Sequence, residues 1–306
     1  MIEYSGKFES YQSEWQDFFR IREIYSMTLI RRCAVAVAVF AFLNVFALHA
    51  AGQPINVGLV PDGISKTTAQ DKAPLIAYLA KSMGRQVSLV LPPTYNDTIE
   101  ALGKGSIDFA LLGALAYVKA HKQYEVIPLV QRTADLQFHT LFICGANSGI
   151  RSLQDLAGKK FAFGDVNSAS GHLIPYLELR QAGVDPDNLQ YRYSGSHGAT
   201  AKLVESGAVD AGSLDEAIYK SMIAEGKLDR TKVRAFYTTK PFVDYVWVAR
   251  KDLDKATQEK FVQAFLSLKE GQNEEVLQVL RGNSFVRANN EEYAIVRLVA
   301  QQLKMM

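Results

Sequence analysis

The chain has 306 residues, 48% of them hydrophobic and 22% charged, an ordinary globular composition at a length that suggests about two domains. Its 34 basic and 32 acidic residues are interspersed and sum to a formal charge of +2. No field of one sign therefore draws it toward nucleic acid.

Residues 1–26 mix polar and aromatic side chains, including Glu14-Trp-Gln-Asp-Phe-Phe-Arg20, and read as an extension ahead of a true start at Met27. Residues 27–51 have the layout of a cleavable secretory signal: Arg31-Arg32, the apolar run Cys33 to Leu48, then the small residues Ala50 and Ala51. The run is shorter than the roughly 20 residues a spanning helix needs and contains Asn44, which argues against a membrane anchor. Cleavage after Ala50 or Ala51 removes Cys33 and leaves Cys144, so the mature chain is expected to hold no disulfide. No lipid-attachment cysteine stands at the cleavage site, so the expected product is a soluble periplasmic protein and a monomer. Cys144 closes the apolar run Leu141-Phe-Ile-Cys144 and reads as a small core residue.

From Ile55 onward, short β-branched runs alternate with segments of helical period, the mark of βαβ units and of an α/β fold with mixed, mainly parallel sheets. Strands are expected over 55–60, 87–91, 107–112 and 125–131. Helices are expected over 69–83, closed by Gly84, from Tyr95, where Thr94 and Asp97 have the spacing of an acidic capping box, and over 114–121. Ala134-Asp135 breaks the pattern, and the extended run Phe138 to Cys144 carries the chain to a second lobe. There the same alternation returns: helix 152–157, strand 160–163, helix 171–182, strand 189–193, helix 196–206, strand 209–212, helix 215–225 and strand 233–237. Tyr245 to Ala249 leads back, and helices over 258–269, 274–280 and 291–304 finish the chain. The division expected is lobe 1 at 52–143 and 246–306 and lobe 2 at 144–245, joined by two hinge crossings. Between such lobes lies a cleft walled by C-terminal strand ends and helix N-termini, whose unpaired N–H groups favour an anion.

The most informative segment is Phe161-Ala-Phe-Gly-Asp-Val-Asn-Ser-Ala-Ser-Gly-His172, a buried strand leading through small polar residues into a helix. In the turn Asn167-Ser168-Ala169-Ser170-Gly171, two hydroxyls and several amides can aim at one point, and Gly171 permits close backbone approach. The alternative is that Ser168 or Ser170 simply caps the helix.

Asp165 to His172 resembles the binding-loop motif of the phosphonate, phosphite and phosphate ABC-transporter substrate-binding proteins. Gly58-Leu-Val-Pro-Asp62, Asp108-Phe-Ala-Leu-Leu-Gly113 with Tyr117, Gly195-Ser196-His197, and Val209-Asp-Ala-Gly-Ser-Leu-Asp215 resemble further family segments in the same order. Asp244-Tyr-Val-Trp247 and Phe285-Val-Arg-Ala-Asn-Asn-Glu-Glu-Tyr293 resemble a branch associated with phosphonate or selenate uptake. The resemblance implies a type II periplasmic-binding fold. It also implies a small oxyanion held by Ser168, Ser170 and nearby amides, with Tyr95 donating from the opposite lobe and His197 completing the shell. It places Asp215 and Asp244 beside the ligand, where a carboxylate selects an oxyanion that keeps a proton, or one that carries an amine. The partners implied are an inner-membrane ABC permease and its ATPase, with no cofactor.

Two positions depart from the family pattern: Ala169 stands where a hydroxyl residue is usual, and Phe138 where tyrosine is frequent, with His139 or Thr140 available to compensate. Three other readings are open. A periplasmic sensing module for another anion shares the fold. A hydrolase using Ser170, His197 and Asp215 would need their helix-start positions to converge, and the chain has no Gly-x-Ser-x-Gly elbow. A metal site from His139, His172, His197 and the aspartates lacks zinc-type spacing, and His172 reads as a helix-exit surface residue.

Overall fold

The computed structural model describes residues 53–61 and 69–306. The expected signal at 27–51, the extension at 1–26 and Asp62 lie outside the described residues.

Two mixed sheets organise residues 54–306. The first has the order β11-β4-β10-β3-β1-β2, formed by β1 (Ile55–Leu59), β2 (Val87–Val90), β3 (Phe109–Leu112), β4 (Ile127–Arg132), β10 (Val246–Ala249) and β11 (Phe285–Arg287). The second has the order β7-β6-β8-β5-β9, formed by β5 (Thr140–Gly145), β6 (Lys160–Phe163), β7 (Gln190–Tyr193), β8 (Ala211–Asp215) and β9 (Val233–Thr238). In each sheet three consecutive neighbours are parallel: β2, β1 and β3 in one, β7, β6 and β8 in the other. The strand that arrives from the other sheet, β10 or β5, runs antiparallel to both of its neighbours. Strand β5 lies wholly in the second sheet, so the outward crossing falls between Arg132 and Thr140, ahead of the 143/144 division expected from the apolar run.

Alternation along the strands gives the first sheet two buried faces. Ile55, Val57, Leu59, Phe109 and Trp247 face a layer of three helices, α1 (Ala73–Met83), α7 (Lys255–Leu266) and α8 (Glu274–Leu280). In that layer Phe109 stacks on Phe261 at 3.9 Å between ring centroids. Ala110, Leu112, Val246 and Val248 face α2 (Tyr95–Gly103), α3 (Ala114–Tyr124) and α9 (Ala294–Gln302). The second sheet is covered likewise, by α4 (Ile174–Gln181) on one face and by α5 (His197–Glu205) and α6 (Glu216–Ala224) on the other. Each large apolar side chain buried this way contributes about 1.5–3 kcal/mol.

The two crossings are zipped together. Phe138 and Phe242 exchange backbone hydrogen bonds of 2.9 and 3.0 Å, and the Asp244 amide donates to the Asp135 carbonyl at 3.0 Å. The Phe138 ring meets Phe242 and Tyr245 edge-on, each at 5.7 Å, so its apolar edge is used in packing where a tyrosine hydroxyl would need a partner. Below the crossings Arg132 grips Asp135 through Nε at 2.7 Å and Nη2 at 2.5 Å, and its guanidinium lies over the Tyr245 ring at 5.5 Å.

Local chemistry moves two expected helix starts. The 69–83 helix begins as a 3-10 turn, Ala69–Lys72, and becomes α-helical from Ala73, with Pro74 in the first turn where its missing N–H costs nothing. The 171–182 helix opens with a π turn, Ala169–Leu173, before α4. Pro175 explains that opening, because it offers no N–H to the Gly171 carbonyl four residues earlier. That carbonyl instead accepts from the Gly164 amide at 2.8 Å and the Ser213 hydroxyl at 3.1 Å.

Candidate functional site

Helix starts from both sheets converge on one buried cluster. Thr94 caps α2: its hydroxyl accepts from the Asp97 backbone amide at 3.1 Å and donates to the Asp97 carboxylate at 2.7 Å, so the carboxylate bonds the Thr94 side chain where a capping box would have it bond the Thr94 backbone amide. This sets Tyr95, the first helical residue, pointing inward at 1% exposure. Thr94→Ala is expected to cost about 1 kcal/mol of stability, the usual value of such a cap, measured as a lowered urea midpoint. Ser196 caps α5 and delivers His197; Asp215 caps α6 by accepting from the Ile218 amide at 2.9 Å.

His197 sits at the centre and is 1% exposed. Its Nδ1 accepts from the Asp215 backbone amide at 3.2 Å, which leaves Nε2 to carry the proton and donate to the Tyr245 hydroxyl at 3.2 Å. The Tyr245 hydroxyl in turn hydrogen-bonds that of Tyr95, and burial pushes both phenols above their ordinary range. His197, from the second sheet's layer, and Tyr95, from the first, thus meet through Tyr245 on the return crossing.

Asp244 is fully buried, with Oδ1 accepting from the Ala114 amide at the start of α3 at 2.8 Å. Burial pushes the Asp244 carboxyl up to about 7, against the Ala114 amide and the nearby Ser170 hydroxyl, which favour the charged form, while Asp135 and Asp215 push the same way as burial. Asp244 Oδ2 and Ser170 Oγ are both buried without a hydrogen bond of good geometry. Such atoms cost roughly 1–3 kcal/mol each unless something satisfies them.

The Ser168–Gly171 turn divides its work. Ser168 is the cap, its hydroxyl accepting from the Gly171 amide at 2.9 Å. Gly171 is required by protein packing: a β-carbon there would lie 3.0 Å from the Gly164 Cα and 3.2 Å from His197 Cε1. Ala169 packs its methyl, with Leu173, into the apolar cluster of the first sheet. Ser170 is held through its carbonyl, which accepts from the Thr140 hydroxyl at 2.9 Å, and this leaves its own hydroxyl facing the cluster. Asn167 accepts from Lys119 of α3 at 2.7 Å, and Asp165 draws on the amides of Asn167 and Tyr95, so the loop is tied to the first sheet's helices on both sides.

Three expectations are corrected. Tyr117 turns its hydroxyl to Asn290 at 2.9 Å and packs edge-on against Tyr293, away from the cluster. His139 is spent on the crossing, with Nδ1 bonded to the Thr239 carbonyl at 2.8 Å. His172 is buried rather than at a surface: Nδ1 donates to the Val166 carbonyl, Tyr193 donates to Nε2 at 3.0 Å, and burial lowers its pKa to about 4. Tyr245 and the Ala114 amide belong to the cluster and escape sequence reasoning, while Thr140, expected as a possible substitute donor, supports the turn through the Ser170 carbonyl. Tyr245 lies inside the Asp244–Trp247 segment, but there it reads as the first residue of a strand.

The family profile of ABC-transporter phosphonate periplasmic substrate-binding proteins matches residues 57–293. A probable ABC transporter phosphite binding protein, PhnD1, of Prochlorococcus marinus is 28% identical over 265 residues, 81% of this chain and 89% of that protein. A phosphate-import protein, PhnD, of Mycolicibacterium smegmatis is 26% identical over 228 residues, 70% of this chain and 71% of that protein. The crystal structure of the Prochlorococcus PhnD1 with methylphosphonate superposes with a TM-score of 0.78 at 27% identity, covering 83% of this chain and 99% of that one.

Proposed function

Because this chain belongs to the family of periplasmic substrate-binding proteins of phosphonate ABC transporters, we propose that it binds a small oxyanion of the phosphonate or phosphite class, or a related one such as selenate, where Ser170, Tyr95, His197, Tyr245 and Asp244 meet. It then delivers this ligand to an inner-membrane permease driven by its ATPase. The observation that carries the reading is the buried pair Ser170 Oγ and Asp244 Oδ2, a donor and an acceptor near each other at the junction of the two sheets, neither with a hydrogen bond of good geometry. A tetrahedral oxyanion satisfies both, accepting from the serine hydroxyl and sharing a single proton with Asp244 Oδ2. His197 and the two tyrosines line the same point. Export by the signal at 27–51, residence in the periplasm, the monomeric state and closure of the 52–143/246–306 lobe on the 144–245 lobe are parts of the same proposal.

Family members are transport binding proteins and not enzymes. The geometry agrees with that role, since His197 bonds the Asp215 backbone and Tyr245 and so does not link Ser170 to the Asp215 carboxylate as a triad would.

Thermal unfolding of the mature chain with phosphite, methylphosphonate, phosphate, sulfate and selenate tests the proposal. A ligand at 100 times its Kd adds about 2.7 kcal/mol to stability, so at least one phosphorus oxyanion is expected to raise the midpoint by several degrees. A shift with an amino acid or sugar and none with any oxyanion would overturn it.

A further inference from the structure

Beside the cluster lies a cavity of about 260 Å³ that the Ser168–Gly171 turn does not line. Its floor is a row across the first sheet, where Leu111 of β3 stands in register with Leu59 of β1 on one side and Trp247 of β10 on the other. Residues in register point to one face of a sheet, and Leu111 keeps part of its surface open there while its neighbours Ala110 and Leu112 are wholly buried. Val279 of α8 supplies one wall from the first sheet's helical layer, and Ile218 of α6 supplies another from the second sheet's. Tyr95, Tyr245 and Asp215 line this cavity and also belong to the cluster around His197, so the cavity abuts the cluster across the two tyrosines.

We propose that this cavity takes the organic substituent of a phosphonate and that the substituent is apolar, a short alkyl chain or a single ring; this rests on the oxyanion reading of the adjoining site. On a tetrahedral phosphonate the carbon projects away from the three oxygens. With the oxygens at Ser170 and His197, the carbon is directed past the tyrosines into the cavity. An apolar cavity of about 150 Å³ already holds a benzene ring, so this one has room for such a group. A cationic tail is disfavoured at the rim: Asp215 is engaged by the Ile218 amide, and the Arg132 guanidinium, held by Asp135, adds positive charge.

Calorimetric titration of the mature chain with phosphite and with methyl-, ethyl-, butyl-, phenyl- and 2-aminoethylphosphonate tests this. Affinity is expected to rise about fourfold per buried methylene, so by more than tenfold from methyl to butyl, with the aminoethyl compound weaker than butyl. Val279→Phe fills the cavity and is expected to cancel the butyl and phenyl gains while phosphite affinity stays within about twofold, which also reports that the variant folds. Should that variant fail to fold, the alkyl series on the unsubstituted chain decides alone. If phosphite and methylphosphonate bind but butyl- and phenylphosphonate bind no more tightly, the substituent pocket is wrong and the oxyanion site stands. If no phosphonate or phosphite binds, the oxyanion site itself is wrong and the pocket falls with it.

Discussion

Ser170→Ala is expected to weaken binding of phosphite or methylphosphonate by roughly 10- to 100-fold, the loss of one hydrogen bond to a charged group worth about 1.5–3 kcal/mol. The ligand-free protein is expected to keep or raise its melting temperature. Both parts follow from one observation: the Ser170 hydroxyl is buried with no hydrogen bond of good geometry, so removing it relieves a poorly satisfied polar group and gives up only its weak contact with Asp244. The methyl of alanine keeps most of the volume, and the Ser170 carbonyl still accepts from Thr140. Opposite signs for affinity and stability separate a ligand-binding serine from a structural one. A variant that loses stability by about as much as it loses affinity would show that Ser170 supports the turn and not the ligand.

Above pH 7 the ratio of Asp244→Asn to wild-type affinity is expected to grow by up to tenfold per pH unit, reaching about 100-fold at pH 9, while below pH 6 it stays near one. The sign follows from the raised pKa of about 7, produced mainly by burial. Below that value Asp244 is neutral and presents an O–H to the anion much as an amide presents an N–H. Above it the carboxylate either repels a dianion or must recover a proton, which the asparagine never needs. Taking the ratio at each pH cancels the titration of the ligand itself. A ratio that does not change between pH 6 and 9 would mean that Asp244 does not face the ligand.

Much of the architecture is legible because the short apolar runs of β1, β3 and β6 and the caps Thr94, Ser168, Ser196 and Asp215 are local features. Each helix start is signalled by residues within four positions of it. What escapes is set by tertiary pairing. Tyr245 becomes part of the site because it meets His197, 48 residues earlier, and nothing near it in the chain announces that bond. Arg132 stands just past the expected strand 125–131 with nothing local to single it out until Asp135 and the Tyr245 ring are brought to it. Tyr117 and His139 mislead for the converse reason, since each lies close in sequence to the site but gives its polar atoms to Asn290 and Thr239. Pro175 does carry a local signal for the π turn, through the amide it withholds from Gly171, and a helical reading passes over it because proline is welcome in a first turn.

Ala169 and Leu173 carry a kinetic consequence. They insert apolar surface from the second sheet's layer into the core of the first, and in the proposed closing motion that adhesion favours the shut arrangement whether or not cargo is aboard. The fraction of empty protein already shut rises, and apparent affinity rises in proportion to it. The same adhesion slows escape of the captured anion. In the proposed delivery, unloading then requires that the halves be prised apart, and a hydroxyl at position 169 would trade part of that grip for faster turnover.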